Sequence, residues 1–332
     1  MEEQLVDLPV ILSRENHLSQ KLDEVLTYIG KTPLRKMRFS DVNLFVKLEY
    51  HNYSGSIKDR AVFNILSNAI RRGAITCRTS LIESSSGNFA ISLASMCRHL
   101  GISCTVVIDP NINADYEQVL QLLADRVIKV ADRDETGGYL LTRLKKVKEL
   151  CTLDPEMYWT NQYENPDNYL AYYEGMAMEI AGAFNKLDYA FIGVSTAGTI
   201  AGLSLRLKEL FPDIRIVAVD VEGSVIFGSA PKKRFLSGLG ASKVPPLIGM
   251  ARIDEIITLP ESQVVEGCWN LLKEQSILGG ASAGAMYAAA KCYFNTHQVE
   301  KNANAVFLCP DKGSAYMDTV FNKQWVKKTY HQ

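Results

Sequence analysis

The chain has 332 residues, 47% of them hydrophobic and 22% charged, with a formal net charge of −1. That length supports two lobes with separate cores, and the even charge balance predicts no nucleic-acid partner. No run of eighteen apolar residues occurs, so no membrane span is expected, and the acidic start Met1-Glu2-Glu3-Gln4 lacks the pattern of a secretory leader. Seven scattered cysteines without a C-x-x-C, and five scattered histidines, predict reduced thiols in a cytoplasmic protein, with no disulfide framework and no metal site.

In chain order, Asn16 to Ile29 sets Leu18, Leu22, Val25, Leu26 and Ile29 on one helical face. Gly30 to Leu34 reads as a turn. Val42 to Glu49 alternates apolar and polar residues except at Phe45, which predicts a strand with both faces partly covered. There follow a helix from about Arg60 to Arg71, a strand Ser80 to Glu83, a helix opening near Asn88, and a strand Ser103 to Ile108. A helix Asp115 to Leu123, a strand Arg126 to Val130 and a helix Gly138 to Cys151 continue the alternation. It resumes with helix Asn168 to Phe184, strand Tyr189 to Val194, helix Thr199 to Leu210 and strand Ile214 to Asp220. The last third holds helices Val264 to Glu274 and Gly284 to Tyr293 and a strand Ala305 to Cys309. Strands separated by helices predict an α/β fold with mostly parallel sheets.

Four stretches carry candidate chemistry. Asn52-Tyr53-Ser54-Gly55-Ser56-Ile57-Lys58-Asp59-Arg60 joins a strand to a helix. An amine at an electropositive helix start is disfavoured as an ammonium, and a neutral amine forms a Schiff base with an aldehyde. The other reading is a solvated lysine. Ser84-Ser85-Ser86-Gly87-Asn88 opens a helix with hydroxyls and N–H groups suited to a carboxylate or phosphate, or is a simple cap. Ser195-Thr196-Ala197-Gly198-Thr199 reads as a phosphate cup or a tight turn, and matches neither a Walker loop nor G-x-G-x-x-G. Gly279-Gly280-Ala281-Ser282-Ala283-Gly284-Ala285 crowds small residues against a helix or a flat ligand, and Ser282 offers a neutral hydroxyl to a ring nitrogen.

S-x-K-D-R, S-S-S-G-N, S-T-A-G-T and G-G-A-S-A-G, in that order, resemble the cysteine synthase family of pyridoxal-phosphate enzymes over about residues 25 to 325. Gln162-Tyr163-Glu164-Asn165-Pro166 and Gly238-Leu239-Gly240-Ala241 are similar to further family segments. The resemblance implies the fold type II architecture, like the tryptophan synthase β-subunit: two lobes, each a mainly parallel sheet flanked by helices. It implies a lead-in over 1–42 packing on the larger lobe, a smaller lobe over 43–155 and a larger one over 156–332. It also implies a homodimer acting on amino-acid substrates.

By the same resemblance, Lys58 holds pyridoxal phosphate, Asn88 bonds the ring hydroxyl, Ser282 the ring nitrogen, and Ser195, Thr196, Ala197, Gly198 and Thr199 the phosphate. Ser84, Ser85, Ser86 and Gly87 receive the donor carboxylate. Gly137 to Arg143, Val219 to Gly228 and Pro310 to Gly313 are less typical of cysteine synthases. They resemble members that join O-phospho-L-serine to L-glutamate on the way to 2,3-diaminopropionate. On that reading Arg143, helped by Tyr163, binds an anion, since a planar guanidinium suits phosphate and carboxylate, and Gly223 and Ser224 line the acceptor side. Arg143 is otherwise a surface helix arginine. The chain departs from the family at Asn52 to Ser56, where N-P-G-G-S is usual, and at Ser195 and Ala197, where cysteine synthases carry glycines. Rival readings are a sulfhydrylase using O-acetylserine or O-phosphoserine, an enzyme using another amine, and a non-catalytic regulator with the same fold.

Overall fold

The computed structural model describes residues 8–39, 41–135 and 137–330, with side chains from residue 17 onward. The elements run α1 (Leu8–Leu26), β1 (Leu34–Lys36), β2 (Asn43–Leu48), α2 (Lys58–Arg71), β3 (Ser80–Ser84), α3 (Asn88–Leu100), β4 (Cys104–Ile108), α4 (Ala114–Leu123), β5 (Arg126–Lys129), α5 (Leu140–Leu153) and β6 (Met157–Trp159). They continue with α6 (Pro166–Ala171), α7 (Ala177–Ala181), β7 (Tyr189–Gly193), α8 (Gly198–Leu210), β8 (Arg215–Val221), β9 (Glu255–Leu259), α9 (Glu261–Gln275), α10 (Ala281–Thr296), β10 (Asn304–Cys309) and α11 (Lys323–Tyr330).

Among the described residues the strands form two sheets, ordered β1-β2-β10-β7-β8-β9 and β5-β4-β3-β6. The second is parallel throughout, and the first is parallel except for the antiparallel edge pair β1 with β2. The expected pair of helix-flanked parallel sheets is what the chain forms. One compact unit takes α1 and Val62–Asn161; the other takes Gly30–Ala61 and the chain from Gln162 onward. Where the sequence reading drew a lobe over 43–155, β2 pairs residue for residue with β10, from Asn43↔Asn304 to Leu48↔Cys309. Leu44, Val46 and Leu48 are buried on one face, while on the other Phe45 is half-buried and Lys47 buried. In the smaller unit, Ile82, Val107, Val130, Val147 and Leu150 form a core between the sheet and α5.

Several elements escape the sequence reading. β6, with three half-buried residues, is too short to show a period, and β9 is an edge strand whose apolar residues do not alternate cleanly. The helix expected from Asn168 to Phe184 is interrupted by a π-helical turn at Tyr172–Met176. It lies hard against α8: a Cβ on Gly202 would fall 2.2 Å from the Tyr169 carbonyl oxygen and 2.8 Å from Tyr172 Cβ.

Beneath the start of α2 lies a buried ion network in the larger unit. Arg60 Nε is 2.6 Å from Glu49 Oε2 and its Nη1 is 2.7 Å from Glu179 Oε1. Lys47 Nζ is 2.7 Å from Glu179 Oε2 and donates to the Thr32 carbonyl at 2.6 Å. Thr32 Oγ1 donates to Glu49 Oε1 at 2.6 Å. Two cations and two carboxylates balance, so each buried charge has partners and α2 is fixed two residues beyond Lys58. Removing one partner strands a charge, which typically costs about 3–5 kcal/mol. Burial pushes the Glu179 carboxyl up, but the hydrogen bonds and charges of Arg60 and Lys47 outweigh it and bring it from 4.5 down to about 2. A depressed carboxyl contributes stability above its unfolded value and loses it as pH falls through the folded one. Arg60→Met is therefore expected to lower unfolding free energy in urea by about 3 kcal/mol or more. It should also flatten the loss of stability expected of the native chain as pH falls from 4.5 to about 2; equal acid profiles would contradict the network.

Candidate active site

In the larger unit, the loop before Lys58 is held by its own polar groups in place of the family's proline. Asp59 Oδ2 accepts from Ser54 N at 2.8 Å, and Oδ1 from Ser54 Oγ at 2.5 Å. Gly55 takes φ +95°, where a side chain would be strained. Asn52 Nδ2 donates to Glu49 Oε2 at 2.9 Å, which ties the loop to the ion network. Ser56 Oγ accepts from Lys58 N at 3.2 Å and so caps the start of α2.

Lys58 itself is half-buried. Protein packed around its amine strips away water, and this desolvation lowers its pKa from 10.5 to about 8 against the opposing pull of the Asp311 carboxylate. An amine titrating near 8 is neutral often enough at physiological pH to act as a nucleophile.

Tyr172 links this lysine loop to the cup at α8. Its hydroxyl donates to the Ile57 carbonyl at 3.3 Å, and Thr199 hydrogen-bonds the same phenol. Ala197 caps α8 in the left-handed region at φ +66°, and no side chain caps that helix. An L-residue there costs roughly 1 kcal/mol. A Cβ on Gly198 would fall 2.2 Å from Asn168 Oδ1, so glycine lets the helix start press against α6. Ser195 Oγ donates to the Gly240 carbonyl at 3.2 Å, and Thr196 is buried. The first turn of α8 thus presents backbone N–H groups and the positive end of a helix dipole.

Ser282 is 4% exposed, one residue inside α10. Gly238, at φ +94°, faces it: a Cβ there would stand 3.9 Å from Ser282 Oγ and 3.6 Å from Tyr316 Oη. The neighbouring glycines serve close packing. A Cβ on Gly284 would meet Cys268 Sγ at 2.2 Å, and one on Gly280 would meet Asp311 Oδ1 at 2.0 Å. On the same unit, Ser224 Oγ accepts from Ala241 N at 3.2 Å. Arg234 Nη1 donates to the Gly223 carbonyl at 2.7 Å and to that of Ala241 at 3.2 Å, pinning two loops together. Half-buried Tyr163 lies close enough to Arg234 to interact electrostatically.

In the smaller unit, buried Glu83 underpins the serine-rich loop. It accepts from Ser84 N at 2.7 Å, Thr160 Oγ1 at 2.6 Å and Trp159 Nε1 at 3.3 Å. Ser84 and Ser85 are buried, and Gly87 caps α3 with extended backbone and no side-chain cap. Ser86 Oγ donates to Asp109 Oδ2 at 3.0 Å and accepts from Arg143 Nη1 at 3.3 Å. Asn88 Oδ1 accepts from Tyr116 Oη at 2.6 Å. The Arg143 side chain is 12% exposed, with Nε 3.2 Å from Asp109 Oδ2. That Nε–H nonetheless makes no hydrogen bond.

Sequence reasoning missed Tyr172, Asp109, Asp311, Tyr316 and Arg234. None sits in a motif whose spacing implies chemistry, and each reaches its place through a turn or helix whose direction the sequence does not print.

Residues 25–311 match the family model described as pyridoxal-phosphate dependent enzyme. An O-acetylserine dependent cystathionine β-synthase from Helicobacter pylori is similar at 29% identity and a TM-score of 0.81, over 89% of this chain and 97% of that one. A hydrogen sulfide-producing enzyme from Fusobacterium nucleatum is similar at 28% identity and a TM-score of 0.80, over 88% and 98%. O-ureido-L-serine synthase, at 23% identity, TM-score 0.81 and coverage of 92% and 95%, shares the fold.

The residues present suit pyridoxal phosphate. A neutralisable amine, an uncapped helix start for a phosphate, and a buried neutral hydroxyl beside a glycine without Cβ all lie on the larger unit. Lys58→Ala is expected to yield a folded, colourless protein; an unchanged visible spectrum would remove the lysine from its role.

Proposed function

From a chain that belongs to the pyridoxal-phosphate dependent enzyme family and acts by β-replacement or elimination, we propose one particular reaction. O-phospho-L-serine and L-glutamate are joined to give N-(2-amino-2-carboxyethyl)-L-glutamate and phosphate. The activity is that of N-(2-amino-2-carboxyethyl)-L-glutamate synthase, which supplies 2,3-diaminopropionate for a siderophore of the staphyloferrin B kind. The observation that supports this reading is the Arg143 guanidinium, 12% exposed, which meets the serine-rich loop at Ser86 and is held there by Asp109. A planar guanidinium beside that loop suits a phosphate or a carboxylate. An acetyl ester or a sulfide would give that guanidinium much less.

In this reading Ser84, Ser85, Ser86 and Gly87 receive the donor's α-carboxylate at the start of α3. Arg143, with Tyr163, holds the departing phosphate or the glutamate side chain. Gly223 and Ser224 line the acceptor side, shaped by Arg234. Pyridoxal phosphate, when bound, supplies an electron-accepting ring that stabilises charge at the substrate Cα. Lys58 Nζ would hold its aldehyde carbon and, once displaced there by the substrate amine, would take the Cα proton as general base. The N–H groups of Ser195 to Thr199 hold its phosphate, Asn88 its ring hydroxyl. Ser282 meets its ring nitrogen with a neutral hydroxyl, which does not enforce a protonated ring and so favours elimination over transamination. The working form is a homodimer in the cytoplasm.

Mass spectrometry of the protein incubated with O-phospho-L-serine and either L-glutamate or sulfide separates this reading from a sulfhydrylase. The expected product is the glutamate adduct; cysteine alone would overturn the assignment. Hydrogen bonds to charged groups contribute about 1.5–3 kcal/mol. Arg143→Ala should therefore raise KM for phosphoserine by roughly 10- to 100-fold and leave that for O-acetylserine nearly unchanged. Equal effects on both donors would count against the anion role.

A further inference from the structure

The lysine loop does not face only the cup. Ser56 forms an antiparallel bridge with Asp311, and Ile57 N donates to the Pro310 carbonyl at 2.8 Å. The end of β10 therefore runs directly beside the backbone that delivers Lys58. Asp311 is 3% exposed and fixed on several sides. Its Oδ2 accepts from Tyr316 Oη at 3.0 Å and its carbonyl accepts from Gly280 N at 3.1 Å. Its Oδ1 occupies the space a side chain on Gly280 would need. A second bridge, Gly279↔Lys312, closes the arrangement. So many constraints hold one ionisable group at one position, beside the backbone that delivers Lys58.

The other charged and titratable groups of these elements are committed elsewhere. Asp59 is turned to Ser54, and Arg60 to Glu49 and Glu179. Lys312 lies over the Tyr50 ring. The Tyr172 phenol is pushed up by burial. Cys309 Sγ donates to the Asp311 carbonyl at 3.5 Å and Cys268 Sγ to that of Gly280 at 3.6 Å. Burial, then the Asp311 charge, pushes both thiols up and keeps them neutral. The charge acting on the Lys58 amine is that of Asp311.

Lys58 has two opposed duties. Attack on an aldehyde needs the neutral amine, which desolvation favours. Service as general base needs the ammonium to persist for a while, which desolvation opposes. We propose that Asp311 is the positioning residue that reconciles them: its clamped carboxylate stabilises the Lys58 ammonium between uptake and return of the substrate proton. In that step the Cα–H bond breaks, its electron pair stays on carbon, and the proton moves to Lys58 Nζ. The same proton later returns to the product Cα. Asp311 neither gives nor takes it. The inference rests on the reading of Lys58 as that base and adds the group that sets its proton affinity.

Asp311→Asn keeps the size of the side chain and an acceptor for Tyr316 while removing the charge. Competitive acetylation of the full-length, cofactor-free chain, followed by peptide mass spectrometry, reads the titration midpoint of Lys58 itself. The native midpoint is expected near 8, and that of Asp311→Asn lower by about one unit or more. Should the asparagine variant fail to fold, Asp311→Ser is smaller than the native residue, removes the same charge and should give the same displacement. An unmoved midpoint in a folded variant of either kind overturns the proposal, because a merely structural aspartate would leave Lys58 titrating as before. The two readings fail separately. A displaced midpoint with the cofactor on another residue would sink the role of Lys58 and leave its relation to Asp311 standing. An unmoved midpoint with the cofactor on Lys58 would do the reverse.

Discussion

A lysine kept partly neutral by lost hydration is useful only if it cannot drift back into water. Here the restraint begins two residues away. Arg60 is locked between Glu49 and Glu179, and Glu49 also receives Asn52 from the preceding loop. The loop, the cap and the first turn of α2 are thus tied to one neutral cluster of buried charges. Such a cluster adds little net stability compared with apolar packing, but displacing any member exposes the rest to an unpaired charge. Its contribution is positional.

The same economy governs the anion cup. α8 starts where it does because Gly198 lets it approach Asn168 and Gly202 lets it approach Tyr169 and Tyr172. The π-helical turn beginning at Tyr172 carries the phenol that bridges Ile57 and Thr199. Cup and lysine are therefore connected by one buried side chain, and the left-handed Ala197 marks the strain accepted to aim the N–H groups of that turn. On the smaller unit, Glu83 does for the serine-rich loop what Glu49 does for the lysine loop: a buried carboxylate fixes backbone and side-chain donors beneath it.

Much of this was legible in the sequence. Alternating strands and helices gave the parallel sheets, and small residues after strands gave the candidate turns, because both are local signals. Proline's loss from the lysine loop was also visible, but not that Asp59 would stiffen it instead. What stayed hidden depends on long-range register. β2 is an inner strand of the larger unit's sheet because β10, some 260 residues later, pairs with it. Asp311 reaches the backbone of the lysine loop for the same reason. Arg143 reads on paper as one more cation beside Lys145 and Lys146; its burial against Asp109 follows from the turn of α5, which residue type alone does not report. The interruption at Tyr172 was not legible, and Gly202, which it closely approaches, lies on another element.

The account stands on one covalent assignment. Reduction of the coloured protein with borohydride, digestion and peptide mass spectrometry reads it directly. The account predicts the reduced cofactor on the peptide that carries Lys58, and at that residue. Cofactor found on any other lysine, or held with no covalent bond at all, would contradict it.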